Sequence, residues 1–172
     1  MANGSTLERR DDPAKLISEP MFLFWRDEAQ FCNLAPTAGE TLAGSHTARG
    51  LATADYDGDG DVDLAVAINR GHPLLLRNDT VTPNRSLTIR LQGPEAARFG
   101  ARVEVSGPSG TQIRWWGADV SYLSMHSNEL VFGLGESSEP CTVRVAWADG
   151  EESKLGEVSG PQVVVRHPRI PG

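Results

Sequence analysis

The chain has 172 residues, 39% of them hydrophobic, with 23 acidic against 16 basic side chains and a formal net charge of −7. That length suits one domain or one and a half, and it can enclose a real core. An acidic chain without a basic patch argues against a nucleic-acid partner, and no stretch approaches the roughly 20 apolar residues of a membrane span.

Residues 1–20 are polar, with the charge cluster "ERRDDP" at 8–13, and read as a flexible leader or at most a short helix over 14–18. "MFLFW" (21–25) is too short and too far from the start to be the apolar part of a signal peptide. As written the chain carries no export signal, which points to the cytoplasm. As a piece of a longer secreted protein it would be extracellular.

From residue 21 onward, short apolar runs alternate with Gly, Pro, Asn and Asp. Strands are expected at 21–26, 62–68, 73–78, 86–92, 101–106 and 111–116. Further strands are expected at 121–126, 129–134, 141–147, 151–155 and 162–166. The sets Leu87/Ile89/Leu91, Val103/Val105 and Val143/Val145/Trp147 repeat every second residue, so each lines one face. "SGPSG" (106–110) and "ADG" (148–150) read as hairpin connections.

No segment sustains a helical period. The pattern predicts an all-β fold: an antiparallel β-sandwich or barrel-like module from about residue 86, preceded by a shorter β segment. The composition breaks near 80–85 ("TVTPN"). Cys32 and Cys141 are the two cysteines, with no CxxC spacing, and a long-range disulfide and two reduced thiols both remain open.

"DYDGDGDVD" (55–63) places five aspartates in nine positions. Like charges ~4 Å apart repel by about 4 kcal/mol at an effective dielectric near 20. Such a run is a solvated turn or a cage for a cation. Asp55, Asp57 and Asp59 fall at positions 1, 3 and 5 of a loop. Gly60 at position 6 permits a sharp turn, Asp61 at position 7 offers its backbone carbonyl, and Asp63 stands at position 9.

Calcium takes six to eight oxygen ligands and suits this D-x-D-x-D-G-x-x-D spacing. An EF-hand needs a Glu at position 12, where this chain has Val66 in an apolar run. All-oxygen ligation disfavours zinc and copper. The expectation is a structural calcium that neutralises the cage and fixes the turn into the next strand.

The stretch "RGLATADYDGDGDVDLAVAINRGHPLLLRND" (49–79) resembles one FG-GAP/VCBS repeat of integrin-like β-propellers, where this loop joins two strands of a blade and holds calcium. The part of the chain beyond it resembles the C-terminal module of the ASPIC/UnbV family, named for an acidic secreted cartilage protein and a protein of enediyne gene clusters. "FGARVEV" (99–105), "SYLS" (121–124), "LVFGLGE" (130–136) and "VRVAWADG" (143–150) carry that likeness.

The resemblance implies a calcium-loaded β-rich binding or scaffolding module and brings no agreed catalytic residue. It implies a repeat over 21–82, a β module over 83–168 and a tail at 169–172. One blade cannot close a ring, so a propeller is not expected. The blade packs on the β module, pairs with a second copy as a homodimer, or belongs to a longer protein.

Familiar enzyme signatures are missing: no G-x-S-x-G elbow, no HExxH and no P-loop. An extended "SYLSMHS" (121–127) would set Tyr122, Ser124 and His126 on one face. The neighbouring Trp115 and Trp116 must point to opposite faces. Trp115, Trp116, Tyr122 and His126 are therefore the candidate ligand-binding set for a hydrophobic small molecule, with His126 and Tyr122 the weak catalytic candidates. The leading function is a calcium-binding interaction or scaffolding module for a protein partner. The alternative is a small enzyme of the cyclase or isomerase kind, or a ligand carrier of secondary metabolism, with a β-walled pocket.

Overall fold

The structure is a computed structural model that describes residues 1–2, 4, 8–12, 15–27, 29–118 and 120–170. The strands run β1 (Glu19–Pro20), β2 (Phe24–Asp27), β3 (Gln30–Asn33), β4 (Ser45–His46), β5 (Ala48–Ala54), β6 (Asp63–Ile68) and β7 (Leu74–Leu76). They continue as β8 (Arg85–Gln92), β9 (Arg102–Gly107), β10 (Gly110–Trp115), β11 (Val120–Ser121), β12 (Ser124–Met125) and β13 (Leu130–Gly135). The last three are β14 (Cys141–Ala146), β15 (Glu152–Val158) and β16 (Gln162–Arg166). Two single-turn helices, α1 (Glu40–Ala43) and α2 (Glu95–Arg98), complete the described elements. The fold is all-β, as expected. Among the described residues no helix is long and apolar enough to cross a membrane.

The chain divides into two compact units that are not sequential. The first holds Met1–Thr53, Leu64–Leu76 and Ser121–Met125; the second holds Ala54–Asp63, Arg77–Val120 and His126–Gly172.

The second unit is a sandwich. One sheet has the strand order β10-β9-β14-β15 and is antiparallel throughout; the other has the order β13-β8-β16. Alternation puts Leu87, Ile89 and Leu91 of β8 inward against Val103 and Val105 of β9 and Val143 and Val145 of β14, all nearly inaccessible. Register matches them: Val105 lies opposite Val143, and Val103 opposite Val145. Phe132 and Val165 fill the same core.

Larger polar-tipped side chains join this core only where their hydrogen bonds are met. Trp116 donates its indole N–H to the Asn128 carbonyl (2.9 Å), and Trp147 donates to the Ser153 hydroxyl (3.0 Å). Buried His167 places Nε2 3.1 Å from the Asp149 carboxylate, while its Nδ1 accepts the Arg169 backbone N–H.

One pairing departs from the antiparallel pattern: β16 runs parallel to β8. Residues 159–161 carry the chain from β15 in one sheet to β16 in the other, and that crossing sets the direction of β16.

The first unit has a smaller interior. Its β5-β6-β7 sheet buries Ala48 and Val66 with Met21, and Leu51, Ile68, Leu74 and Leu76 pack partly buried around them. β2 and β3 form a separate ribbon, and β1 pairs with β4. The Met1 amine donates to the Phe22 carbonyl, and the Phe22 N–H returns to the Met1 carbonyl.

Two sequence expectations are corrected. The segment 121–126 is not one extended strand. It is the tight turn between β11 and β12, with Leu123 at φ 52, so Tyr122, Ser124 and His126 do not share a strand face. The short helix over 14–18 is not formed over 15–18, where Leu16 bridges to Glu8 instead; Ala14 lies outside the described residues. Strands β3, β4 and β5 were not expected as separate elements. Both cysteines are free, Cys32 exposed and Cys141 in the sandwich core, so no disulfide joins them.

Candidate metal centre

The loop from Ala54 to Asp63 leads along the chain from β5 into β6 and belongs to the second unit. Its backbone is wound by its own carboxylates. Asp55 accepts the Gly58 and Gly60 N–H groups (2.8 and 3.0 Å), and Asp59 accepts that of Asp61 (2.9 Å). Gly58 and Gly60 sit at φ 81 and 94, a left-handed region in which a side chain would be strained. The Ser86 hydroxyl on β8 ties the turn to the sandwich by donating to the Gly60 carbonyl at 2.8 Å.

These turns bring ligand oxygens of Asp55, Asp57 and Asp63 within 4.8 Å of one another. Asp63 is 2% exposed and accepts the backbone N–H of Tyr56 (3.0 Å) and of Asn78 (2.8 Å). Among the described residues no basic side chain pairs with Asp55 or Asp63; Arg77 pairs closely with Asp79, at 2.7 Å, and of the loop carboxylates reaches Asp57, at 3.9 Å. Burial, and then the charges of Asp59, Asp55, Asp63 and Asp57, raise the Asp61 carboxyl above its ordinary pKa.

Three clustered carboxylates, one of them buried without a cationic partner, form a donor set that fits a hard divalent ion and could hold one. Asp59 and Asp61 are not members of this group. The Asp59 Oδ1 is engaged by the Asp61 N–H, and Asp61 sits where its backbone carbonyl was expected to serve.

The other candidates are divided between the two units. Trp116 is 6% exposed and closes the sandwich core, with the Arg98 guanidinium 4.8 Å from its ring centre. Trp115 stands 48% exposed, so the expected splitting of the Trp pair holds. Tyr122 lies at an exposed turn in the first unit, while Trp115, Trp116 and His126 lie in the second. Sequence reasoning missed Ser86 and Asn78 as supports of the loop, and Arg77 as its nearest base. Ser86 lies outside every motif, and although Arg77 and Asn78 fall within the 49–79 stretch, no spacing rule signals that they reach the loop, because each does so through tertiary packing.

The fold and the loop thus define a β-sandwich module carrying an oxygen-donor group able to hold a metal ion. Residues 91–168 match the family described as ASPIC and UnbV, and this stretch spans the sandwich from the end of β8 to just past β16. None of the curated proteins matches the chain.

Proposed function

We propose that this chain is a calcium-binding interaction or scaffolding module in which the ion is structural. The observation that carries the reading is Asp63, a carboxylate 2% exposed, grouped with Asp55 and Asp57 and paired with no basic side chain among the described residues. Leaving such a charge uncompensated is costly, and a divalent cation is the natural counter-charge. Asp55, Asp57 and Asp63 would hold it by carboxylate, with Asp59 and the Asp61 carbonyl completing the set that the spacing implies. The ion would supply charge neutralisation and a fixed turn.

On this reading residues 49–79 form a single FG-GAP/VCBS-like repeat. The β5-β6-β7 sheet with its acidic loop between the first two strands supports that assignment. An ion that binds only the folded state stabilises it by RT ln(1 + [Ca]/Kd), about 2.7 kcal/mol at a hundredfold excess over Kd. Calcium should therefore raise the melting temperature of the parent and leave that of a double variant, Asp55→Asn with Asp63→Asn, unmoved. A parent whose melting curve is the same in calcium and in chelator would refute the proposal.

A further inference from the structure

Among the described residues, two side-chain nitrogens are buried without a hydrogen-bond partner: Nη2 of Arg49 in the first unit and Nε of Arg98 in the second. Arg49 is partly engaged, since its Nη1 donates to the Gly4 carbonyl at 2.8 Å. Arg98 is not. Among the described residues no hydrogen bond or ion pair involves its guanidinium.

Other arginines of the second unit are matched to carboxylates: Arg90 to Glu129, Arg102 to Glu104 and Arg144 to Glu152. Arg98 instead lies half-buried, with its guanidinium carbon 4.8 Å from the centre of the Trp116 ring. Its backbone is fixed, because its N–H donates to the Pro94 carbonyl and its own carbonyl accepts the Ala101 N–H at 2.8 Å. Trp116 is held as well, through its indole bond to Asn128. Stacking on an indole offsets part of the cost of burying a cation, but it satisfies none of the five guanidinium N–H donors. Buried polar groups nearly always have partners, and a charged one without them is costly. The orphan Nε on an unpaired guanidinium therefore points to an acceptor that arrives with a ligand. With no bond to hold the fork, it can turn in its own plane on the indole and present Nε without losing the stack.

We propose that Arg98 receives a carboxylate from an acidic segment of a partner protein, through two parallel N–H bonds from Nε and one Nη. The planar fork matches carboxylate and phosphate alike. One unpaired cation neutralises one negative charge, and the chain already carries a net charge of −7. A phosphate dianion would leave excess negative charge at the site, so the carboxylate is favoured. This rests on the interaction-module reading, whose partner it names by chemistry. It does not rest on the ion, because Arg98 and Trp116 lie outside the aspartate loop.

The test uses the full chain in calcium at about 0.15 M salt, where a Debye length of about 8 Å screens the acidic surface. The probe is a fluorescein-labelled hexapeptide of alternating glutamate and glycine, with lysine–glycine and phosphoserine–glycine counterparts. The glutamate peptide should bind and the lysine peptide should not. Arg98→Gln should weaken binding about tenfold or more, the size expected for losing a charge-assisted pair. Arg98→Lys keeps the charge but lacks the fork, and should weaken binding about threefold or more. That variant carries the comparison if Arg98→Gln melts early. Arg114 is the control: it is exposed, its guanidinium carbon is 5.5 Å from the Phe132 ring centre, and it has no buried orphan nitrogen. Arg114→Gln should leave the affinity within about twofold, as for an ordinary surface charge.

Glutamate peptide that fails to bind overturns the proposal and assigns Nε to a bound water. Undiminished binding by Arg98→Lys, or equal losses at Arg98 and Arg114, also overturns it. Phosphoserine peptide binding more tightly than glutamate peptide overturns it by reassigning the fork to phosphate. The Arg98 variants should keep the parent's calcium-dependent melting shift. A parent that binds the peptide without any calcium shift removes the calcium reading and leaves this inference standing; a shift without peptide binding does the reverse.

Discussion

The two units of this chain have different sources of order. The second encloses Phe132, Trp116 and Trp147 within facing rows of Val, Leu and Ile from two sheets. The first has a core cluster of only Met21, Ala48 and Val66, while Phe24, Trp25 and Phe31 stand about half or more exposed on the β2–β3 ribbon. Hydrophobic stabilisation scales with the apolar area removed from water. Local stability should therefore be unequal, and the loop's carboxylates sit in the unit with the larger reserve. The lesson is that a costly charged turn is placed beside a core able to carry it.

The largest effect should come from the sandwich interior. Phe132→Ala should cost about 3–5 kcal/mol in denaturant unfolding, by lost burial and a cavity. Met21→Ala in the first unit should fall near the lower end for such truncations, about 2 kcal/mol. Equal costs would erase the contrast. Amide exchange offers an independent check, with β8, β9 and β14 protected longest and the β2–β3 ribbon exchanging first.

Ser86→Ala is the next smaller test. It removes the hydrogen bond from β8 to the Gly60 carbonyl and should cost about 1 kcal/mol. It should also weaken calcium affinity in a calorimetric titration if the sandwich preorganises the loop. Unchanged affinity would mean the loop orders itself.

The mildest effect concerns acid. Burial acts to raise the Asp149 carboxyl, but the Glu151 backbone N–H, the His167 hydrogen bond and the charges of His167 and Arg169 outweigh it and hold it below its ordinary value. Arg144 likewise lowers Glu152, first through its hydrogen bond. A carboxyl lowered by folding stabilises the native state above its unfolded pKa, about 4, and that contribution disappears as pH falls through the folded value. Melting temperature should therefore drop below about pH 4. Asp149→Asn should flatten the drop, and an equally steep curve for this variant would show that the contact contributes nothing.

Much of the sandwich was legible in the residues. The alternations at 87–91, 103–105 and 143–147 need only a strand's period of two to define a face, and all of those side chains are buried. The stretch 121–126 misled for a local reason: apolar and polar residues alternate there, yet Leu123 adopts a left-handed backbone that no spacing rule signals. The short pair β1–β4 was opaque because two-residue strands carry no period, whereas β2 overlaps the strand expected at 21–26 and only its partner β3 went unread.

By itself the sequence determined an all-β chain, the rows of its core and the crowding of five carboxylates into one turn, because periodicity and charge spacing are local properties. Only the tertiary structure decided that β16 runs parallel to β8 and that Asp55, Asp57 and Asp63 form the group. Those outcomes depend on where distant strands meet, and meeting is set by packing of the whole core rather than by any short stretch.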